Sequence, residues 1–236
     1  MKILVWLVAW TGCACCFGDE GTNRLADGSL DKAAKLVPLR LKLPMPNLGV
    51  NGPQDLPVGP HIEPPPRRPP PPFLIPEGVT NLALGKKVTA SIERPVRGKL
   101  SMITDGEKEP FADQLIEIPG GVQWVQVDLE RECSIYAVLV WHDAVFQVPL
   151  FRAVVVQAAD DAAFTEHVRT LFNNDYENLA GLGPGTDKQY FETRYGKLID
   201  AKGIKARYLR FYSNGSSNGP LNGYAEVEAW GFSAVP

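Results

Sequence analysis

Alternation of apolar and polar residues is the feature that most constrains what this chain can fold into. In the segment WVQVDL (124–129), apolar side chains occupy every second position from Val125 onward, and the segment 88–92 alternates in the same way. A period of two residues puts successive side chains on opposite faces of a β-strand. The chain after Val79 is therefore predicted to consist of strands with one apolar and one polar face.

Two other runs are apolar at almost every position, namely IYAVLVW (135–141) and AVVVQA (153–158). Strands of this kind need cover on both faces, so they are predicted to be central strands of a packed sandwich. Turn signals such as Asp105-Gly106 separate the predicted strands, and the sequence contains neither a βαβ repeat nor a glycine-rich phosphate loop. The fold class is therefore predicted to be all-β.

The last predicted strand, AEVEAWG (225–231), also alternates. Its pattern predicts that Val227 and Ala229 face the core. The same pattern predicts that three residues face outward: Glu226, Glu228 and Trp230.

Four stretches together resemble a known family. They are NLALGKKVTAS (81–91), WVQVDL (124–129), ARYLRFYSNG (206–215) and AEVEAWG (225–231). In their content and spacing they resemble the discoidin family, also called the coagulation factor V and VIII type C domain, in its bacterial form. The resemblance implies an antiparallel jelly-roll β-sandwich of the galactose-binding-like type. It also implies a surface that holds a ligand rather than a pocket that transforms one.

The resemblance further implies a structural Ca²⁺. In carbohydrate-binding relatives, a loop with an Asp-Gly turn and an acidic residue of the last strand hold this ion through carboxylate and backbone oxygens, and MITDGE (102–107) matches that loop. The ligands expected in this chain are Asp105, Glu107 and Glu226, whose oxygen atoms suit a hard cation. The alternative is a simple tight turn beside a solvated glutamate.

The chain departs from the family pattern shortly after this turn. Relatives usually have Trp followed by small polar residues there, whereas this chain reads KEPFADQLIEIPGGVQW (108–124). The specificity of the family's ligand loop is therefore not carried over.

Candidate ligand-binding residues follow from the chemistry of sugars. A pyranose needs an aromatic face and nearby planar donors or carboxylates, which the end of a strand at Trp141, His142 and Asp143, together with Arg210, would supply. In the alternative interpretation, Trp141 belongs to the core and His142 is a hydrogen-bonded residue at the strand end.

A long, strand-poor connection supplies the other candidates. The segment LFNNDYENLAGLGPGTDKQYF (171–191) is rich in Asn, Asp and Gly, and long irregular loops on compact domains are often functional. We expect Asn173, Asn174 and Asp175 to contact a ligand, joined by Asn214 or Asn218 from the neighbouring tip 213–224. The segment does not fit the EF-hand pattern, because the sixth position counted from Asn173 is Asn178 rather than glycine. The alternative is a solvated loop.

Proline is concentrated before the predicted sandwich. Fourteen of the 21 prolines lie between Pro38 and Pro76, including the run PPPRRPPPP (64–72). Proline fixes φ and lacks the amide donor, so this stretch is predicted to be an extended spacer that reaches on the order of 100 Å. The predicted organisation is a signal segment (1–18), a disordered proline-rich linker (19–76) and one discoidin-like domain (77–236).

The first 18 residues, MKILVWLVAWTGCACCFG, have the features of an export signal, with Lys2 before a short apolar stretch. Thr11-Gly12-Cys13 resembles the end of a bacterial lipobox, while ordinary cleavage after small residues is the alternative. Cys133 is the one cysteine outside this segment, so no internal disulfide is predicted for the domain. The protein is therefore expected to be exported, as a periplasmic, outer-membrane lipoprotein or extracellular protein.

The charge balance and the motifs argue against two classes of function, nucleic-acid binding and catalysis. Residues 77–236 carry 16 Lys and Arg against 21 Asp and Glu, a balance of −5 that lacks the basic footprint of a nucleic-acid binder. Neither a Gly-x-Ser-x-Gly elbow nor a His-Glu-x-x-His helix appears, so the protein is predicted not to be an enzyme.

The expected function is that of a non-catalytic exported module that binds carbohydrate or another cell-surface ligand and reaches a membrane only through a lipid on Cys13. One alternative is an envelope protein-interaction or structural domain. A small carbohydrate-active hydrolase is the other.

Overall fold

The computed structural model describes residues 35–45, 56–65, 68–109, 112–144 and 148–233. Residues Leu36–Pro236 form one compact unit. The predicted signal segment and Cys13 lie outside the described residues. No helix formed by the described part of the chain is long and apolar enough to cross a membrane.

The described residues form twelve strands and two short 3-10 helices. The strands are β1 (Leu36–Pro38), β2 (Leu74–Pro76), β3 (Thr80–Asn81), β4 (Val88–Ala90), β5 (Ile116–Ile118), β6 (Gln123–His142), β7 (Leu150–Phe151), β8 (Val155–Ala159), β9 (Arg169–Asn173), β10 (Tyr190–Phe191), β11 (Lys197–Ser213) and β12 (Asn222–Ser233). The 3-10 helices are Leu100–Thr104 and Ala112–Gln114. All strand pairs are antiparallel, so the predicted all-β antiparallel sandwich is confirmed.

Two long strands, β6 and β11, run through both layers of the sandwich. In the first layer, the first half of β6 lies between β4 and the second half of β11, and β8 and β9 complete the layer. In the second layer, the second half of β6 lies between β12 and the first half of β11, and β12 also pairs with β3 and β5. Register shifts near the middle of both long strands separate the two layers.

The main core lies between these layers. The apolar side chains that alternate along the first half of β6 belong to it, as the period of two residues predicts. In the second half of β6, the side chains that point to this core change from odd-numbered to even-numbered positions after Ile135. Val138 and Val140 are the next residues of the strand that belong to the core. The change follows from a β-bulge, because Ile135 and Ala137 pair with consecutive residues of β12 and leave Tyr136 as the extra residue.

A second, smaller core covers the outer face of the second layer. Ala137, Leu139 and Trp141 of β6 belong to it, and Leu39, Leu41 and Phe73 of the proline-rich segment pack against them. The apolar character of 135–141 on both faces therefore has two causes, the sandwich core on one side and the proline-rich segment on the other.

The parts of the proline-rich segment that the structure describes are thus packed on the sandwich rather than extended away from it. Strands β1 and β2 pair with each other, and residues from Leu36 onward belong to the same compact unit as the sandwich. Apolar residues placed between the prolines explain this outcome, because burying their side chains has a more favourable free energy than exposing them to water.

One prediction for β12 is corrected by the structure. Val227 and Ala229 face the main core as expected, but Glu226 and Glu228 are buried as well, at 0% and 5% exposed. Alternation identified the two faces of the strand correctly. It could not show that the polar face is also shielded from water.

Candidate functional site

A cavity of about 520 Å³ opens between the proline-rich segment and one end of the sandwich. Its apolar lining comes from both sides: Leu39, Leu41 and Phe73 on one side, Tyr190, Tyr195 and Leu198 on the other. Its polar lining includes Glu63, Arg68, Thr193 and Lys197. The size and the mixture of apolar and polar side chains are those of small-molecule sites in proteins.

Backbone pairing and an ion pair hold the wall at Glu63 in place. The Glu63 amide donates to the carbonyl of Gln189, and the Gln189 amide donates to the carbonyl of His61, both at 2.8 Å. The Glu63 carboxylate is bonded to the Lys197 ammonium. Lys197 Nζ also lies 5.0 Å from the ring centroid of Tyr190. An aromatic ring and an opposite charge therefore both hold the Lys197 side chain in place.

The other wall depends on the pairing of β1 with β2. The amide of Leu39 donates to the carbonyl of Phe73 at 2.8 Å, which extends this pairing toward the cavity. The side chain of Phe73 is half-buried, with part of its surface turned to the cavity.

Trp141 lies beneath the cavity floor. Its side chain is 2% exposed, and its Nε1 donates to the carbonyl of Arg194 at 3.0 Å. Gly196 covers the indole with a φ of +66°, and a Cβ at that position would come within 2.6 Å of Trp141 Cε2. Trp141 therefore supports the Thr193–Leu198 wall rather than offering its face to a ligand.

His142 is buried in an aromatic and polar network next to Trp141. Its Nδ1 lies 3.2 Å from Glu192 Oε2 and 3.3 Å from the Tyr190 hydroxyl, and its ring stacks on Phe151 at 4.2 Å between centroids. Burial raises the pKa of Tyr190 well above its ordinary value, with Glu192 adding to the rise. In this structure the network anchors Tyr190, whose side chain forms part of the cavity lining.

Asp143 and Asn214 lie away from this cavity. The amide of Asp143 donates to the carbonyl of Gly223 at 3.2 Å, which joins the end of β6 to β12. Asn214 is half-buried just after β11. Neither residue belongs to the lining of the cavity.

The side chains of Asn173 and Asp175 point into their own loop, and the side chain of Asn174 points to the segment around β7 and β8. Asn173, Asn174 and Asp175 are 9%, 0% and 1% exposed. Asn174 accepts from the amide of Val154 at 2.7 Å and donates to the carbonyl of Phe151 at 3.1 Å. These side chains hold the loop, and their contact with a ligand stays a prediction.

Arg210 lies on the first layer, between two aromatic rings. Its guanidinium carbon is 3.9 Å from the ring centroid of Phe164 and 4.4 Å from that of Trp124. Its N–H groups donate to Gln126 Oε1, the Tyr212 hydroxyl and the carbonyl of Ala162. Arg210 therefore braces this surface and is not brought together with Trp141 and His142.

The three expected calcium ligands do not converge. The exposed Asp105 accepts from the amide of Glu107 at 2.9 Å, and Glu107 Oε1 lies 2.9 Å from Lys42 Nζ. Glu226 accepts from the amide of Gly106 at 3.0 Å, while its buried Oε2 has no hydrogen-bond partner. Among the residues the structure describes, no group of three His, Cys, Asp or Glu side chains could hold a metal ion. These three side chains are therefore not arranged as one ligand set, and calcium binding itself stays a prediction.

Burial raises the pKa of Glu226 to about 9, with Lys108 opposing the rise and Asp105 and Glu228 adding to it. The Lys108 side chain is 3% exposed and pairs with Glu228. This acidic pair with its lysine lies on the outer face of β12 and is separate from the cavity.

Most of the cavity lining was missed by sequence reasoning. Phe73 and Arg68 lie in the stretch predicted to be a spacer, and Thr193 and Tyr195 follow the long loop without a motif. One signal could have located the site: the apolar outer face of 135–141 requires a cover, and the leucines before the proline run are apolar residues that could supply it.

Solved structures of several carbohydrate-binding modules match this chain. A point mutant of chitosan-binding module 1 from a Paenibacillus sp. IK-5 chitosanase/glucanase has 19% identity and a TM-score of 0.46, covering 64% of this chain and 98% of the module. A Streptococcus pneumoniae fucose-binding module has 20% identity and a TM-score of 0.45, covering 66% and 98%. The Clostridium perfringens CpGH89CBM32-4 in complex with GlcNAc-α-1,4-galactose has 16% identity and a TM-score of 0.46, covering 66% and 96%. No protein-family model and no curated protein match.

These modules are of the discoidin-like, galactose-binding-like type. At identities of 20% or less and TM-scores below 0.5, this likeness assigns neither family membership nor a ligand to the chain.

Proposed function

We propose that this protein is a non-catalytic binding module that holds a glycan in the cavity between the proline-rich segment and the sandwich. The observation that carries the proposal is the composition of the cavity lining. Half-buried rings of Phe73 and Tyr195 provide surfaces for the apolar face of a pyranose, and Thr193 and Arg68 provide hydrogen-bonding groups for its hydroxyls.

Binding without turnover is supported by the carboxylate in the lining. A glycosidase uses two carboxyl groups, of which one must hold a proton for the leaving group. Glu63 is instead engaged by the Lys197 ammonium in a bond that fixes the cavity wall. Its role in the proposal is therefore structural.

Export belongs to the same proposal. A glycan-binding module meets its ligand outside the cytoplasm, and residues 1–18 have the features of an export signal. The mass of the mature N-terminus distinguishes diacylglycerol on Cys13 from simple cleavage.

A glycan array with the full mature chain tests the proposal, since the cavity needs residues before position 77. Chitosan oligosaccharides, fucose and GlcNAc-α-1,4-galactose, named for the matched modules, form a first panel. Tyr195→Ala should weaken binding of any hit by about tenfold or more, as loss of an aromatic anchor does. Phe232→Ala, which changes a partly exposed ring outside the cavity, should leave the affinity unchanged.

Two outcomes contradict the proposal. Equal affinities for the Tyr195 and Phe232 variants would place the site elsewhere, and an array without hits would favour a protein of the envelope as the partner. Release of reducing sugar from a polysaccharide, lost in Glu63→Gln, would make the protein a hydrolase.

A further inference from the structure

Two buried carboxylates lie side by side on the outer face of β12. Glu226 and Glu228 are two residues apart on one strand, so their side chains share a face, and they are 0% and 5% exposed. Burying two carboxyl groups together is unfavourable unless a positive charge or a proton accompanies them. The resemblance to discoidin domains had implied a calcium ion near this position.

A lysine side chain reaches this place from the loop after the Asp-Gly turn. The Lys108 ammonium is bonded to Glu228 Oε1, and Trp230 Nε1 donates to Glu228 Oε2 at 2.9 Å. Lys108 Nζ also lies 4.4 Å from the ring centroid of Trp141, whose face favours a cation. The buried ammonium group is thus bonded to a carboxylate and lies over an aromatic face, while the Trp230 indole holds the other oxygen of that carboxylate.

The other two expected ligands are engaged in other contacts. Glu107 is half exposed and pairs with Lys42, and Asp105 caps its own turn. The amide of Gly106 bonds Glu226 directly at 3.0 Å, so the loop is tied to β12 by a protein donor.

We propose that the Lys108 ammonium is the built-in cation of this site, which joins the 102–109 loop to β12 in place of a calcium ion. The positive charge is covalently attached and independent of the concentration of any free metal. The loop and β12 therefore stay joined in calcium-free surroundings.

Thermal unfolding of the full chain in millimolar EDTA and in millimolar CaCl₂ tests the proposal. We expect the two midpoints to agree within about 1 °C, because a ligand that binds only the folded state would raise the midpoint. A rise on CaCl₂ that MgCl₂ does not reproduce, and that Glu226→Gln abolishes, would overturn it.

A pair of lysine variants provides the second arm. Lys108→Met keeps an unbranched side chain of nearly the same length but removes its charge, and it should lower the midpoint by about 5 °C or more, since it leaves a buried carboxylate without its ionic partner. Lys42→Met removes a lysine from an exposed pair with Glu107 and should change the midpoint by less than about 2 °C. Equal effects of the two variants would overturn the proposal. If Lys108→Met does not fold, the metal comparison on the wild-type chain decides.

Discussion

At Gly196, the cavity wall packs directly against the sandwich. Its φ of +66° lies in the left-handed region, and its Cα hydrogen faces the Trp141 indole, where a Cβ would approach Cε2 to 2.6 Å. Both features require glycine, one because of backbone conformation and the other because of space. The path of the chain over Trp141 therefore depends on the absence of a side chain at this position.

Gly196→Ala should destabilise the protein by about 2–4 kcal/mol, because alanine adds backbone strain and a clash with the indole. Gly181→Ala is the matched control: its φ is +71°, and a Cβ there meets nothing within 4 Å. It should lower the free energy of unfolding by only about 1 kcal/mol, which is the backbone strain of alanine at a positive φ. Urea unfolding of both variants measures the difference, and equal losses would show that the contact with Trp141 is not tight.

At the scale of elements, the connection between β9 and β10 is long but internally bonded. The amides of Gly185 and Thr186 donate to carbonyls of Asp175 and Asn173, at 2.8 and 3.1 Å. Asn174 adds bonds to the strand region before it, through the Val154 amide and the Phe151 carbonyl. The loop is therefore ordered by buried amide and carboxylate groups, which the sequence alone presents only as a polar stretch.

Asn174→Ala should lower the free energy of unfolding by about 1–3 kcal/mol, because it leaves a buried amide and a buried carbonyl without partners. Asn218→Ala alters an exposed asparagine and should change it by less than about 0.5 kcal/mol. Chemical denaturation measures both. A neutral Asn174 variant would mean that water reaches these backbone groups.

At the scale of the whole molecule, the proline-rich segment is part of the folded unit. It covers the outer face of the second layer with Leu39, Leu41 and Phe73, and it supplies one wall of the cavity. A sandwich that begins at residue 77 would expose that apolar face to water.

A chain of residues 77–236 should therefore unfold at least about 5 °C below the full chain and bind more of the hydrophobic dye ANS. A chain of residues 35–236 keeps the cover and should match the full chain. Differential scanning fluorimetry and ANS fluorescence of the three chains provide the measurement. Equal midpoints for 77–236 and 35–236 would contradict a stabilising role for the segment.

The sequence alone determined the main core strands and the class of the fold, because alternation with a period of two residues involves many positions at once. It also predicted correctly that Val227 and Ala229 face the core. Individual site residues were less accessible to this reasoning: Trp141 and His142 are next to the cavity but buried behind its wall, and Arg210 lies on the other layer.

Only the tertiary structure decided which polar faces are shielded and which segments meet. From the sequence, the proline run is predicted to be a spacer, but in the structure the leucines before it cover an apolar face of the sheet. From the sequence, Glu226 and Glu228 are expected to be solvated, but in the structure Lys108 and Trp230 bond Glu228 and the amide of Gly106 bonds Glu226. Burial, charge pairing and the cavity itself arise from contacts between residues far apart in the chain, and a local pattern carries no information about such contacts.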